Sequence, residues 1–393
     1  MIGILTLTCR YLAYHRARTA ILVTCLALTF VLPVYLHVLI RTYESSLTER
    51  AEATPFVLGP RGNQFELVLR SLYFANPERG EAGLSMVDHQ AAVACDRGQV
   101  IPMHLGYTAQ SHPVVGTSLE YFEFRALEAR KGTFPLILGD AVLGAKVAAQ
   151  LGLTAGDSLL TDQTSLYNIA AEQPLKMTVV GVLEDQDSPD DHAVFVDVKT
   201  AWVIAGIGHG HNDLSDPANR AQLLGKDEEG NLMGSAAVAH YREITPGNLA
   251  SFHFHGAPQT LPLSSLLIVP DSDRSGTLLK GHYALSKSTY LLEPIDVVDD
   301  LLAIVFQVKR FFNASFSLIL VMTILFLILV IMLTLKLRSR ERGMLWRMGC
   351  GRWTTVSMQA CELLILATAG MFLATLGALV LVQFTEHLLR IGS

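Results

Sequence analysis

Two short histidine pairs are the residues in this 393-residue chain whose type and spacing best suit chemistry. His209 and His211 bracket a glycine, and His253 and His255 bracket a phenylalanine. Imidazole nitrogens are good ligands for zinc-like ions, and residues two apart on a strand share a face. His253 and His255 would then grip one ion together; His209 and His211, in a mobile loop, are a second candidate pair. Asp190, Asp191 and His192 would be further donors. The competing expectation is ordinary surface histidine, favoured until a third ligand converges. Other chemistry is missing. The sequence has no GxxxxGK[ST] phosphate loop, no HExxH and no GxSxG, so no nucleotide-hydrolysing, zinc-protease or serine-hydrolase centre is expected.

Few residues are left to do polar work. Only 17% are charged, well under the quarter or so of an ordinary soluble domain, and the deficit sits in three apolar runs. Net charge is −6 and the basic residues gather at the edges of those runs, so no nucleic-acid partner is expected. Cys9, Cys25, Cys95, Cys350 and Cys361 have no CxxC spacing and leave Cys95 alone in the polar segment. They read as small buried apolar residues, with no disulfide framework.

The apolar runs cover about Thr19 to Ile40, Ala314 to Leu335 and Val356 to Val382, each near the ~20 residues that cross a bilayer core. The first is too long for a signal peptide, and Pro33, Tyr35 and His37 stand where small residues would be cleaved. Arg10, His15, Arg16 and Arg18 precede the first run; Lys336, Arg338, Arg340, Arg342, Arg347 and Arg352 lie between the second and third. The positive-inside rule makes both stretches cytoplasmic, Arg342 included, and puts Ser393 and residues 43–312 outside. The expected fold is therefore three transmembrane helices plus an α+β extracytoplasmic domain. Its parts are 1–42, 43–312 and 313–393. In the last span Glu362 is costly in lipid and should face protein. Gly370, Ala374 and Ala378 follow at four-residue steps and give a face that admits another helix closely.

Residues 43–52 read as a polar extension of the first span. Val297, Leu301, Ile304, Val305 and Val308 have the spacing of an amphipathic helix leading into the second. The two would form a helical stalk. Between them Lys176–Leu183, Ala193–Val198, Pro135–Asp140 and Ser265–Pro270 read as strands of a mixed sheet, in a domain of two lobes. Val142–Leu151 reads as a helix stopped by Gly152, and Gly206–Gly234 as a long mobile loop.

Two stretches resemble the MacB/FtsX-like family of ABC transporter permeases. The first is Val115-Gly-Thr, Glu120-Tyr-Phe, Lys131-Gly-Thr-Phe, Leu138-Gly-Asp-Ala-Val-Leu-Gly, Leu151-Gly-Leu, Gly156-Asp and Val179-Val-Gly-Val-Leu, similar to the family's periplasmic core. The second is Arg340-Glu-Arg-Gly-Met-Leu-Trp-Arg-Met-Gly-Cys-Gly-Arg followed by Gln359-Ala-Cys-Glu-Leu-Leu, similar to the family's basic loop and the start of the next span. Three spans stand here where the family usually has four. The resemblance implies a non-catalytic permease subunit of the bacterial inner membrane, a homodimer in contact with membrane lipid. A separate cytoplasmic ABC ATPase dimer would carry the ATP and Mg. It also implies a coupling helix over 338–352, with Arg340, Glu341, Met344, Leu345, Trp346, Arg347 and Met348 seated in the ATPase. Export or extraction of substrate, with metal as one open use, is the first expectation; the alternative is mechanotransmission to a periplasmic partner such as a cell-wall hydrolase.

Overall fold

The computed structural model describes residues 2–75, 83–162, 174–211, 223–226, 232–234, 241–254, 256–337, 343, 344, 347, 349 and 351–392. The chain divides into two compact units, Met1–Ser46 with Leu302–Ser393, and Leu47–Leu301.

The first unit is all helix: Ile2–Tyr14, the start of Arg16–Glu52, the end of Pro294–Leu337, and Arg352–Gly392. Among the described residues two helices are long and apolar enough to cross a membrane, Arg16–Glu52 and Val356–Thr385. The expected second span is represented by the shorter apolar segment Ala314–Phe326. Two cysteine expectations fail here. Cys9 and Cys25 are exposed, because they lie on apolar helices whose outer surface would meet lipid and need no protein cover.

The second unit is built on one mixed sheet of ten strands. Nine follow in the order Thr289–Leu292, Phe56–Pro60, Ser265–Pro270, Gly98–Ala109, His112–Thr117, Val194–Asp197, Asp140–Leu143, Lys176–Leu183 and Ala129–Gly132, and Ser158–Leu160 adds to Lys176–Leu183. Two neighbours are parallel, His112–Thr117 with Val194–Asp197 and Asp140–Leu143 with Lys176–Leu183; the rest are antiparallel. Two apolar cores form along this continuous sheet, one around Leu143, Leu159, Met177 and Val179, the other around Leu58, Leu263, Leu266 and Leu279. The helix Val198–Ile204 serves both, giving Ala201 to the first and Trp202 to the second. The cores are thus divided along one sheet and not between separate sheets.

The Lys131-Gly and Val180-Gly stretches have a physical reason. Gly132 pairs with Gly181, and a Cβ at Gly181 would sit 2.3 Å from the Thr133 carbonyl oxygen. Gly132 also has φ +82°, open to few other residues.

Several local expectations need correction. Pro135–Gly139 is a turn, not a strand, since Asp140 accepts hydrogen bonds from the backbone N–H of Leu136 and Ile137 and bends the chain. The helix expected from Val142 begins at Ala145, because Asp140–Leu143 is drawn into the sheet; Gly152 does end it, left-handed at φ +67°. Within Gly206–Gly234, Gly208–Gly210 pairs with Phe252–Phe254, and Leu223–Lys226 with Leu232–Gly234, so strands stand where a loop was expected. Of the expected amphipathic face, Val297 is buried but Ile304 is exposed, and Val298 takes a buried place instead.

Candidate functional sites

A buried pair of opposite charges lies where the first long helix ends. Arg50, in its last turn, donates from Nη1 to Asp190 Oδ2 at 2.7 Å and from Nη2 to Asp190 Oδ1 at 3.0 Å. Tyr121 Oη donates to the same Oδ1 at 2.7 Å and accepts from Arg50 Nη2 at 2.9 Å. Arg50 Nε donates to the Leu72 carbonyl in the last turn of the helix Gln64–Tyr73, whose C-terminal end favours a cation. Asp190 is aimed by the short helical turn Pro189–His192, where Ser188 caps Asp190 N–H and Asp191 Oδ2 accepts from Ser188 N–H at 2.9 Å. All three members are buried. Burial pushes the Asp190 carboxyl up, but Arg50 and Tyr121 outweigh it and hold the group below the usual range; burial and then the Asp190 charge raise the Tyr121 phenol.

In the helical unit, Arg18 Nη2 meets Glu362 Oε1 at 2.8 Å. Glu362 opens a stripe of buried residues at four-residue steps, Leu366, Gly370, Ala374, Ala378 and Val382. Contacts advance together along two helices: Leu26 with Leu366, a Cβ at Gly370 2.8 Å from Leu26 Cβ, a Cβ at Gly377 3.2 Å from Val31 Cγ2, and Tyr35 Oη 2.8 Å from Thr385 Oγ1. The first and last long helices therefore run parallel.

The third arrangement is a ribbon of two strands. Gly208, His209 and Gly210 pair antiparallel with Phe254, His253 and Phe252. Side chains alternate across it. Phe252 and Phe254 turn to the cores, Phe254 standing edge-on to Trp202 at 5.9 Å. Both glycines leave room for the rings: a Cβ at Gly208 would come within 2.6 Å of Phe254 Cδ1, and one at Gly210 within 2.6 Å of Phe252 Cε2. His209, His211 and His253 gather on the other side. Their ring centroids are 5.6, 4.8 and 5.0 Å apart, and one ligand nitrogen from each lies within 4.8 Å of the others. His253 Nδ1 faces the Ser251 carbonyl at 3.2 Å, so Nδ1 carries the hydrogen and the lone pair is at Nε2. His255 lies outside the described residues. Asp190 and Asp191 are taken up by Arg50 and by the turn around Ser188, so neither is a ligand here.

No family model matches the sequence, and no curated protein does. The chain is similar in structure to ABC-type permease domains. It is 12% identical to the periplasmic region of MacB from Actinobacillus actinomycetemcomitans, with TM-score 0.35, covering 65% of this chain and 97% of that one. The extracellular domain of the noncanonic ABC-type transporter YknZ from Gram-positive bacteria is 11% identical, TM-score 0.31, covering 60% and 98%. A domain of a putative permease protein from Porphyromonas gingivalis is 9% identical, TM-score 0.25, covering 59% and 77%.

Of the expected coupling residues, Met344 and Arg347 are helical and exposed; Arg340, Glu341, Leu345, Trp346 and Met348 lie outside the described residues. Sequence reasoning placed Tyr121 in a family-like stretch and Arg50 in a polar helix extension, but paired neither with Asp190. Arg50 stands 140 residues from Asp190 and 71 from Tyr121, and no local periodicity reports a partner at such distance. The one available signal was Asp190 itself, acidic within a proline-led turn.

Proposed function

We propose that this chain is the permease subunit of an ABC-type transporter of the MacB/FtsX-like kind, driven by a separate cytoplasmic ATPase. The parallel packing of the first and last long helices carries the reading. Two parallel helices in a bilayer start from the same side, so the chain between them returns across once, through the helix Pro294–Leu337. The basic stretch just before the last helix then lies on the side of Arg10, Arg16 and Arg18, which the positive-inside rule makes cytoplasmic. That is where an ATPase waits, with its ATP and Mg, and Met344 and Arg347 are the exposed helical residues offered to it. The same parity supports three spans with an external domain; the membrane would be the cell inner membrane, and a pair of these chains would face an ATPase dimer.

The test is co-purification of the full chain with its ATPase. Met344→Asp places a charge where an apolar anchor would be buried, and should lower recovery of the ATPase about tenfold or more. Arg347→Ala should cost far less, as rim charges do. Normal recovery and full ATPase activity with Met344→Asp would remove the coupling assignment.

A further inference from the structure

We propose that the histidine ribbon binds a divalent transition-metal ion of the zinc class, held by His209, His211 and His253. The inference stands apart from the permease reading and uses none of it.

The ribbon has a division of labour. One face is accounted for by packing: Phe252 and Phe254 fill the cores, and Gly208 and Gly210 are glycine because those rings lie over them. The other face carries three imidazoles. Register brings His209 directly opposite His253, while His211 follows His209 by two residues and so shares its side. Cross-strand neighbours and same-face neighbours are the two shortest spacings a sheet offers, and the three histidines use both. Tetrahedral zinc at about 2.0–2.1 Å from each nitrogen needs ligand nitrogens roughly 3.3 Å apart. The three here lie within 4.8 Å of one another, so binding would draw them together by about 1.5 Å.

The donor set selects the ion. Three neutral imidazoles suit zinc, copper(II) or nickel and are poor ligands for calcium or magnesium, which take oxygen. The Ser251 carbonyl accepts from His253 Nδ1 and leaves Nε2 as the donor, the outer-shell arrangement that fixes a ligating imidazole.

The probe is zinc alone, added to the full chain in nanodiscs and purified by a tag without histidine. Competition with a chromophoric chelator should show one tight equivalent, and cobalt in its place should give the intense visible absorption of a tetrahedral ion. Loss of an outer-shell partner alone costs about 10–100-fold in affinity, so His209→Ala and His253→Ala should each cost at least that much. His282→Ala, on the helix Asp273–Ala284, should leave binding unchanged. Each variant is checked for an unaltered urea midpoint, which separates loss of a ligand from loss of the fold. Magnesium and calcium should not compete. The proposal is overturned if the wild-type chain binds no tight equivalent, or if the folded His209→Ala and His253→Ala variants bind zinc as it does. No ATPase enters this experiment, so neither result bears on the permease reading.

Discussion

The first long helix carries an arginine–carboxylate pair near each end, and the two are built differently. Arg18 touches Glu362 through one nitrogen, with the arginine side chain 37% and the carboxylate 9% exposed. Arg50 grips Asp190 through two nitrogens at 7% and 2% exposure, with Tyr121 and the Leu72 carbonyl taking the remaining bonds. A pair joined by one bond, with one partner exposed, can part more easily. A sealed pair cannot, because charges left alone in a protein interior cost several kcal/mol. Sequence position on one helix therefore says little about what an ion pair does; the surrounding elements decide it. The Arg18 pair orients two apolar helices, whereas the Arg50 pair ties a helix end into the core of a sheet domain.

The largest effect should come from breaking the sealed pair. Asp190→Ala leaves Arg50 charged and buried, and should lower the stability of the sheet domain by about 3–5 kcal/mol in urea unfolding of the full chain. Replacing both partners, Arg50→Met with Asp190→Leu, should recover most of that loss, since no charge is then stranded. If the double variant is as unstable as the single one, the pair matters for its shape and not its charge.

A second buried group sharpens the contrast, because it is sealed without a partner. His104 is buried on the strand Gly98–Ala109, and among the described residues neither ring nitrogen has a hydrogen-bond partner. Burial first, and the nearby Arg70 charge second, lower its pKa to about 4. The folded state thus holds His104 neutral, while the unfolded chain takes up a proton below about pH 6.5. The unfolded state then binds more protons, so stability is lost as pH falls from about 6.5 to about 4 and is level below that, by about 3 kcal/mol in all. His104→Gln should flatten this part of the curve, whatever it does to stability at neutral pH. An unchanged slope between pH 6.5 and 4 would show that another group carries it.

The smallest effect is expected at the Arg18 pair. Arg18→Gln keeps a donor beside Glu362 and should lower the thermal stability of the helical unit in nanodiscs by less than Asp190→Ala lowers that of the sheet domain. A loss matching that of Asp190→Ala would mean that exposure does not separate the two pairs.

Much of this architecture could be read from neighbours along the chain. Hydropathy located the apolar segments because a bilayer or a bundle demands runs of a given length. Lys176–Leu183 and Ser265–Pro270 are strands as their β-branched and aliphatic residues suggested. Gly370, Ala374 and Ala378 were visible as one helix face from their four-residue steps, and Glu362 as an acid that must face protein; all four are buried. Where neighbours competed, local reading failed: Asp140–Leu143 joined the sheet although the residues around it suit a helix, because two strands were there to pair with it.

What the sequence determined alone is therefore what is periodic or compositional: the apolar runs, the basic flanks, the small-residue stripe and the histidine doublets. Tertiary structure decided which of these residues meet. The doublets pointed to His253 with His255, yet the described cluster joins His253 to His209 and His211, because a strand register 44 residues distant sets the partner. Arg50 found Asp190 across 140 residues in the same way. Helix and strand periods are written in each segment's own side chains, but a contact between segments depends on the packing of everything between them, and no single segment records it.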